Sequence, residues 1–210
     1  MKLYQSKGSP NSRRVRILIA EKGLDVELVP VDLGAKEQFS DAYRAINPRQ
    51  VVPTLVLDNG TAIGEVPVIQ RYLDEVHPEV PLLGSPPEER AIVGMWDRRV
   101  ETEGFASVME AIRNTVAGLK DRAIAGPHNY AQIPDLIERS KQRVANFYSD
   151  LESRLQTAPF VAGEKFTVAD ITTLVTIDFA TNAISMPIPD GAAATKDWYQ
   201  KVSSRPSAQA

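Results

Sequence analysis

Val52-Pro53-Thr54-Leu55-Val56-Leu57-Asp58-Asn59-Gly60-Thr61-Ala62-Ile63 reads as one antiparallel hairpin with a proline at its entrance. Residues 54–58 and 61–63 are strand-like. They flank Asn59-Gly60, a pair in which both residues tolerate positive φ and so favour a tight two-residue turn. Pro53 sits where the strand begins, and the first residue need not donate to the ladder. Outward towards the N-terminus, residues 26–31 alternate as a strand and 36–46 form a polar helix. Residues 13–22 form a helix with Val15, Leu18 and Ile19 on one face and Gly23 as its stop, and 2–5 a short strand. On the other side of the hairpin, 68–76 is helical. The order β-α-β-α-β-β-α follows: an α/β half with two strands built for parallel pairing and one antiparallel hairpin.

Composition changes at residues 77–87, where Pro78, Pro81, Pro86 and Pro87 with Gly84 and Ser85 exclude regular helix and mark a linker. Everything beyond is helical in period. Ile92, Trp96 and Val100 mark one face of a long helix from about Glu88 towards Gly118. Ile133, Ile137, Val144, Phe147, Tyr148, Leu151 and Leu155 mark a second. Residues 168–184 are apolar on nearly all sides and make the central buried helix, and 192–204 form the last. The expected organisation is an α/β domain over 1–76, a linker over 77–87 and an all-α helical bundle over 88–210.

The 210 residues carry 24 basic and 27 acidic side chains, a net charge of −3, which argues against nucleic-acid binding through the overall field. No cysteine is present, so disulfides, zinc–thiolate sites, iron–sulfur clusters and mechanisms using a protein thiol are excluded. No apolar run reaches the roughly 20 residues needed to cross a bilayer, and the first residues enter a strand without a signal-peptide core. A cytoplasmic protein is expected, with no nucleic-acid or membrane partner.

Three short stretches carry chemistry. Ser9-Pro10-Asn11-Ser12 opens the first helix with Ser9 as N-cap and Pro10 at the first helical position. Ser9 is either only a cap, or it presents a hydroxyl to an anion at the positive end of the helix dipole. Asn47-Pro48-Arg49-Gln50-Val51-Val52-Pro53-Thr54 leads into the hairpin. Phe166-Thr167-Val168-Ala169-Asp170-Ile171 is a structural capping box with Thr167 as N-cap, Asp170 three residues on, and Phe166 and Ile171 placed as a hydrophobic staple.

In this order and at this spacing, the three stretches resemble the glutathione S-transferase family over nearly the whole chain. Ser9 to Arg16 is similar to the zeta-class segment Ser-Ser-Cys-Ser-x-Arg-Val-Arg, with Asn11 in place of the cysteine. It is also similar to the Thr-Pro-Asn-Gly segment of nu-class members. The resemblance implies a thioredoxin-like first domain, a cis peptide bond at Val52–Pro53 and a helix-starting box at Thr167 and Asp170. It further implies Ser9 and Asn11 beside the glutathione thiol, and glutathione held by Gln50, Val52, Pro53, Glu65 and Val66. Chemistry would follow without a metal, since Ser9 and the helix terminus together suffice to ionise the thiol; His77 and His128, in proline-flanked loops, read as inert. Conjugation, isomerisation or glutathione-dependent reduction, with a role in detoxification, are the activities implied, and a homodimer the usual assembly.

Two departures bear on this. Val66 stands where the family supplies a serine to the γ-glutamyl end, so one side-chain hydrogen bond is missing and only the backbone N–H is left. That is worth roughly 1.5–3 kcal/mol, or about ten- to a hundredfold in affinity. Val51 stands where Gln or Lys often precedes Val-Pro. These departures favour the contrasting reading, a non-catalytic stress-regulatory or ligand-binding relative; Ser9, Pro53 and Glu65 favour the enzyme. The resemblance puts the electrophile near Trp96, Arg99, Met109 and Arg113, side chains that suit a helix core or a dimer face equally well.

Overall fold

The computed structural model describes all 210 residues, which fold as two compact units. The first comprises residues 1–80 with 125–128 and 210; the second comprises 81–124 and 129–209.

In the first unit, β1 (Lys2–Gln5), α1 (Pro10–Glu21) and β2 (Glu27–Pro30) are followed by α2 (Asp41–Ile46), β3 (Thr54–Val56), β4 (Ala62–Ile63) and α3 (Val66–Val76). The four strands form one sheet in the order β2-β1-β3-β4. β1 pairs parallel with β2, Leu3 opposite Leu28, and antiparallel with β3, Leu3 opposite Leu55. The parallel pair needs a crossover, which α1 supplies. Alternation along β1 covers both faces of the sheet. Leu3 is fully buried, as are Val15 and Leu18 of α1 and Ile69 and Leu73 of α3. Tyr4 points to the opposite face, where its ring meets that of Tyr43 from α2 at 6.2 Å. The sandwiched sheet and its element order are those expected of a thioredoxin-like domain.

Two local expectations are corrected. Residues 36–46 are not one helix: a single 3₁₀ turn, Glu37–Phe39, precedes α2, because Ser40 is extended and its hydroxyl caps Tyr43 N–H at 3.1 Å. At the hairpin only Gly60 takes positive φ, +86°. Its N–H closes a turn on Leu57 O at 2.9 Å, and Asn59 uses its side-chain oxygen to accept from Thr61 N–H at 3.0 Å. The loop is therefore a longer turn ending in a left-handed glycine.

The second unit is helical: α4 (Pro87–Arg99), α5 (Ala106–Thr115), α6 (Leu136–Leu155), α7 (Val168–Ile184) and α8 (Ala193–Ser203). The expected single helix from about residue 88 is interrupted by a π-helical segment, Val100–Phe105. Gly104 lies so close to the Phe147 ring that a Cβ would stand 2.9 Å from it, and Arg143 Nη2 donates to Thr102 O at 2.7 Å. Close packing and a guanidinium that takes a helix carbonyl are sufficient cause for the extra residue in the turn. α7 is central, buried from Val168 through Ile177. Its threonines tolerate burial because Thr173 and Thr176 donate to carbonyls one turn back, at 2.7 Å each, and Thr172 donates to Asp97 at 2.5 Å. No helix is long and apolar enough to cross a membrane.

Candidate active site

Ser9 is the N-cap of α1, extended at φ −85°, ψ 120°, and only 8% exposed. Its Oγ accepts from Ser12 N–H at 3.3 Å, which takes a lone pair and leaves the hydroxyl hydrogen uncommitted. Pro10 has no N–H, so Asn11 supplies the one backbone donor of this first turn that no protein oxygen accepts. Arg14, fully buried in the next turn, donates from Nη1 to Asn11 Oδ1 at 3.4 Å. A guanidinium can only donate, so this contact fixes the amide with its oxygen inward and its NH₂ turned away. The turn before Ser9 is braced from below. Arg16 donates to Gln5 Oε1 at 2.7 Å, Ser6 O at 3.2 Å and Lys7 O at 3.3 Å, and burial, then the nearby Arg13 charge, lowers its pKa.

The second component is the loop entering β3. Val52–Pro53 is a cis peptide bond, in agreement with expectation. The loop is tied down at Val51 O, which accepts from Tyr43 Oη at 2.6 Å and from Asn47 Nδ2 at 3.0 Å. Asn47 Nδ2 also reaches Thr54 Oγ1 at 2.8 Å, and its Oδ1 accepts from Arg49 N–H at 2.9 Å. Burial raises the pKa of Tyr43, keeping the phenol a donor, although bonds from Thr54 and Asn47 act the other way. Gln50 is left-handed at φ 56°. With Val51 so held, Val52 is buried at 8% exposure, yet its N–H and C=O make no hydrogen bond within the protein. A backbone donor and acceptor left unpaired within the protein are available to another partner. Asn47 and Thr54 bound the stretch that the sequence singles out, but their side-chain roles and that of Tyr43 carry no signal of their own there. Asn47 next to Pro48 is a turn signal that could have marked the start of this network.

The third component is the start of α3. Glu65 holds the N-cap position at φ 64°, ψ 122°, a strained conformation for a residue with a Cβ, and its side chain is exposed with no capping bond. Glu65 O accepts from Val68 and Ile69 N–H at 3.1 and 2.9 Å. Pro67 has no N–H, so Val66 presents the unclaimed donor while its side chain is buried in the core. Two of the five non-glycine residues with positive φ, Gln50 and Glu65, are thus expected site residues.

Models of the glutathione S-transferase N-terminal and C-terminal domains match residues 3–81 and 135–210. The chain belongs to the glutathione S-transferase family. Glutathione S-transferase 2 of Saccharomyces cerevisiae is 30% identical over 210 residues, spanning 99% of this chain and 87% of that protein. Maleylacetoacetate isomerase of Rattus norvegicus is 33% identical over 173 residues, 80% of this chain and 73% of that one. The crystal structure of a glutathione S-transferase domain-containing protein from Marinobacter aquaeolei superposes with a TM-score of 0.90 at 36% identity, covering 99% of both chains. The family is one of enzymes, transferases and isomerases among them, and glutathione is its substrate.

In this transferase the four residues expected near an electrophile fall into two pairs along the chain, Trp96 with Arg99 in α4 and Met109 with Arg113 in α5. Trp96 and Arg113 are 17 positions apart in the chain, on either side of the π segment. Trp96 lies under the guanidiniums of Arg154 at 4.6 Å and Arg99 at 5.1 Å, beside the C-terminal end of α6. Met109 and Arg113 lie towards the other end, where Glu110 meets Arg139 at 3.2 Å and Ser140 at 2.5 Å. Thr167 and Asp170 form the capping box at the start of α7. Asp170, fully buried, accepts from Val161 N–H, Thr167 N–H and Trp198 Nε1, each at 2.9 Å, and from Thr167 Oγ1 at 3.2 Å. Burial pushes its pKa up to about 6 against those four donors. No cluster of His, Asp and Glu is placed to ligate a metal ion.

Proposed function

We propose that this chain binds glutathione in extended form along the Val52 backbone and adds its thiolate to a small, largely apolar electrophile. The observation that carries the reading is the pair of unclaimed Val52 groups, a donor and an acceptor on one buried residue, which suits a peptide lying alongside as an added strand. Gln50, Pro53, Glu65 and the Val66 N–H hold the ligand around that pairing. Ser9 donates its uncommitted hydroxyl hydrogen to sulfur, with Asn11 as a second donor or orienter. A thiol near ~8.5 needs roughly 2.7 kcal/mol to reach about 6.5. One hydrogen bond to an anion contributes about 1.5–3 kcal/mol and a helix N-terminus up to about 2. The thiol proton passes to water, and the sulfur lone pair forms the C–S bond as a leaving group departs or a double bond shifts. The active species is a homodimer.

Calorimetry with glutathione, followed by a thiolate absorbance titration of the complex, tests this. Binding with a thiol pKa well below the free value is expected. A chain that binds without ionising the thiol is a ligand carrier, and one that does not bind at all removes the reading. Light scattering at twice the chain mass checks the dimer.

A further inference from the structure

Asn59-Gly60, at the tip of the β3–β4 hairpin, belongs to no part of the site described above. Of the seven asparagines in the chain, Asn59 is the one followed by glycine, and both residues are exposed. Asn59 Oδ1 accepts from Thr61 N–H at 3.0 Å, which turns the side chain forward along the backbone towards the intervening Gly60 amide. The same bond draws charge from the side-chain carbonyl and would stabilise the oxyanion formed when a nucleophile adds to Cγ. Gly60 has no Cβ to shield its nitrogen, and nothing lies within 4 Å of the place a Cβ would take. One bond resists: Gly60 N–H donates to Leu57 O at 2.9 Å. In an exposed turn, opening it slows a reaction at that nitrogen by no more than about tenfold.

The other asparagines lack this combination. Asn47 is followed by Pro48, which has no N–H. Asn114, Asn146 and Asn182 lie within α5, α6 and α7, where the next N–H belongs to the helix ladder. After Asn11 and Asn129, the N–H groups of Ser12 and Tyr130 are held by Ser9 Oγ and Asp121 O, and both residues carry a Cβ.

We propose that Asn59 is a site of spontaneous covalent modification, in which the Gly60 nitrogen attacks Asn59 Cγ. The C–N bond forms, the Gly60 amide proton passes through water to the departing side-chain NH₂, and ammonia leaves. Water then opens the resulting succinimide at either carbonyl, giving aspartate or isoaspartate at position 59. Isoaspartate places one more methylene in the main chain. β4 is two residues long and pairs with β3 alone, Leu55 opposite Ile63 and Val56 opposite Ala62. Glu65 stands two positions beyond Ile63 and starts α3. The lengthened turn therefore disturbs this register and the Val66 N–H behind it, and the isoaspartyl chain binds glutathione more weakly. That consequence rests on the reading of Glu65 and Val66 given above; the modification itself does not.

The test incubates the full-length protein at mildly alkaline pH and follows it by peptide mass spectrometry, with fragmentation that tells isoaspartate from aspartate. Conversion of amide to acid should be concentrated at Asn59, with isoaspartate the larger product. It should be absent at that position in Asn59→Gln, whose longer side chain disfavours ring closure. By calorimetry the isolated isoaspartyl form should bind glutathione about three- to tenfold more weakly, the effect of one weakened hydrogen bond. Asn59→Asp, which has the new charge on an ordinary backbone, should stay within about twofold of the native chain. An Asn59 that survives in the folded chain but converts in urea is protected by its turn, and overturns the proposal. Conversion spread evenly over the asparagines overturns it too. An isoaspartyl chain that binds as the native one does overturns the link to Glu65. If the unmodified chain binds no glutathione, the proposed function fails, while the mass measurement still decides the modification.

Discussion

Ser9 and Thr167 hold the same position in two helices, and both are N-caps, yet only one of them belongs to a site. At α7 the hydrogen-bonding capacity is closed: Thr167 gives both its N–H and its hydroxyl to Asp170, and that carboxylate also accepts from Val161 and Trp198. At α1 the capacity is left over. Ser9 accepts from Ser12 and its hydrogen is uncommitted, Pro10 removes one competing donor, and Asn11 turns an amide outward. The difference lies in what surrounds the cap. A helix start becomes a candidate site when its neighbours leave donors unused, and a structural staple when they use every one.

The comparison breaks most visibly at Asp170. Asp170→Ala leaves four buried donors without an acceptor, and an unsatisfied buried polar group costs about 1–3 kcal/mol. The expected loss is at least about 3 kcal/mol in urea unfolding, with glutathione affinity of the folded fraction unchanged. Asp170 also gives the folded chain a pH signature. Its native pKa of about 6 lies above the ordinary 3.8, so between those values the folded chain holds a proton that the unfolded chain has lost. Its contribution is therefore full below about pH 4 and is lost as pH rises through 6, by an amount of order 3 kcal/mol at about 1.36 per unit. Unfolding midpoints measured from pH 4 to 7 should show that slope in the native chain and not in Asp170→Ala.

Smaller effects sharpen the contrast between the two caps. Ser9→Ala should lower turnover about ten- to a hundredfold, since a bond stronger to thiolate than to thiol acts on the chemical step. Stability should fall by no more than about 1–2 kcal/mol, the usual loss of a cap. Thr167→Ala should show the opposite split, about 0.5–2 kcal/mol of stability lost with kcat and KM of the folded enzyme unmoved. Equal effects of the two substitutions on turnover would erase the distinction.

Both caps are legible in the sequence because a cap is local: Ser-Pro and Thr-x-x-Asp state it within four residues. The central helix and the β-α-β-α-β-β-α order are legible for the same reason. What separates the caps is not local. Asp170 is answered by Trp198, 28 positions on, and no window of sequence contains both. The π segment likewise depends on Arg143, 41 positions from the Thr102 carbonyl it takes, so a continuous apolar period reads as a continuous α-helix. The unclaimed backbone of Val52 becomes evident only once the ends of β3 and the partners of Val51 O are known. Ser40 is a different kind of miss. Its cap on Tyr43 is as local as that of Ser9, but the polar residues on either side of it hide the break.

The smallest expected effect concerns Asn11, and it sharpens the α1 side of the comparison. Arg14 holds the Asn11 oxygen at 3.4 Å, so the amide offers only donors outward and does not repel a thiolate. It is therefore a real second candidate beside Ser9. An amide NH₂ lacks the rotational freedom of a hydroxyl, and the Asn11 backbone N–H is untouched by a side-chain substitution. Asn11→Ala should thus lower turnover less than Ser9→Ala, by about three- to tenfold, or roughly 0.7–1.4 kcal/mol. The pH dependence of turnover distinguishes the roles. Removing the main thiolate donor raises the pKa of bound glutathione and shifts the rising limb of the profile to higher pH. That shift should be larger in Ser9→Ala than in Asn11→Ala. An unshifted profile in Ser9→Ala beside a shifted one in Asn11→Ala would make the asparagine the thiolate donor, and Ser9 would become a cap of the same closed kind as Thr167.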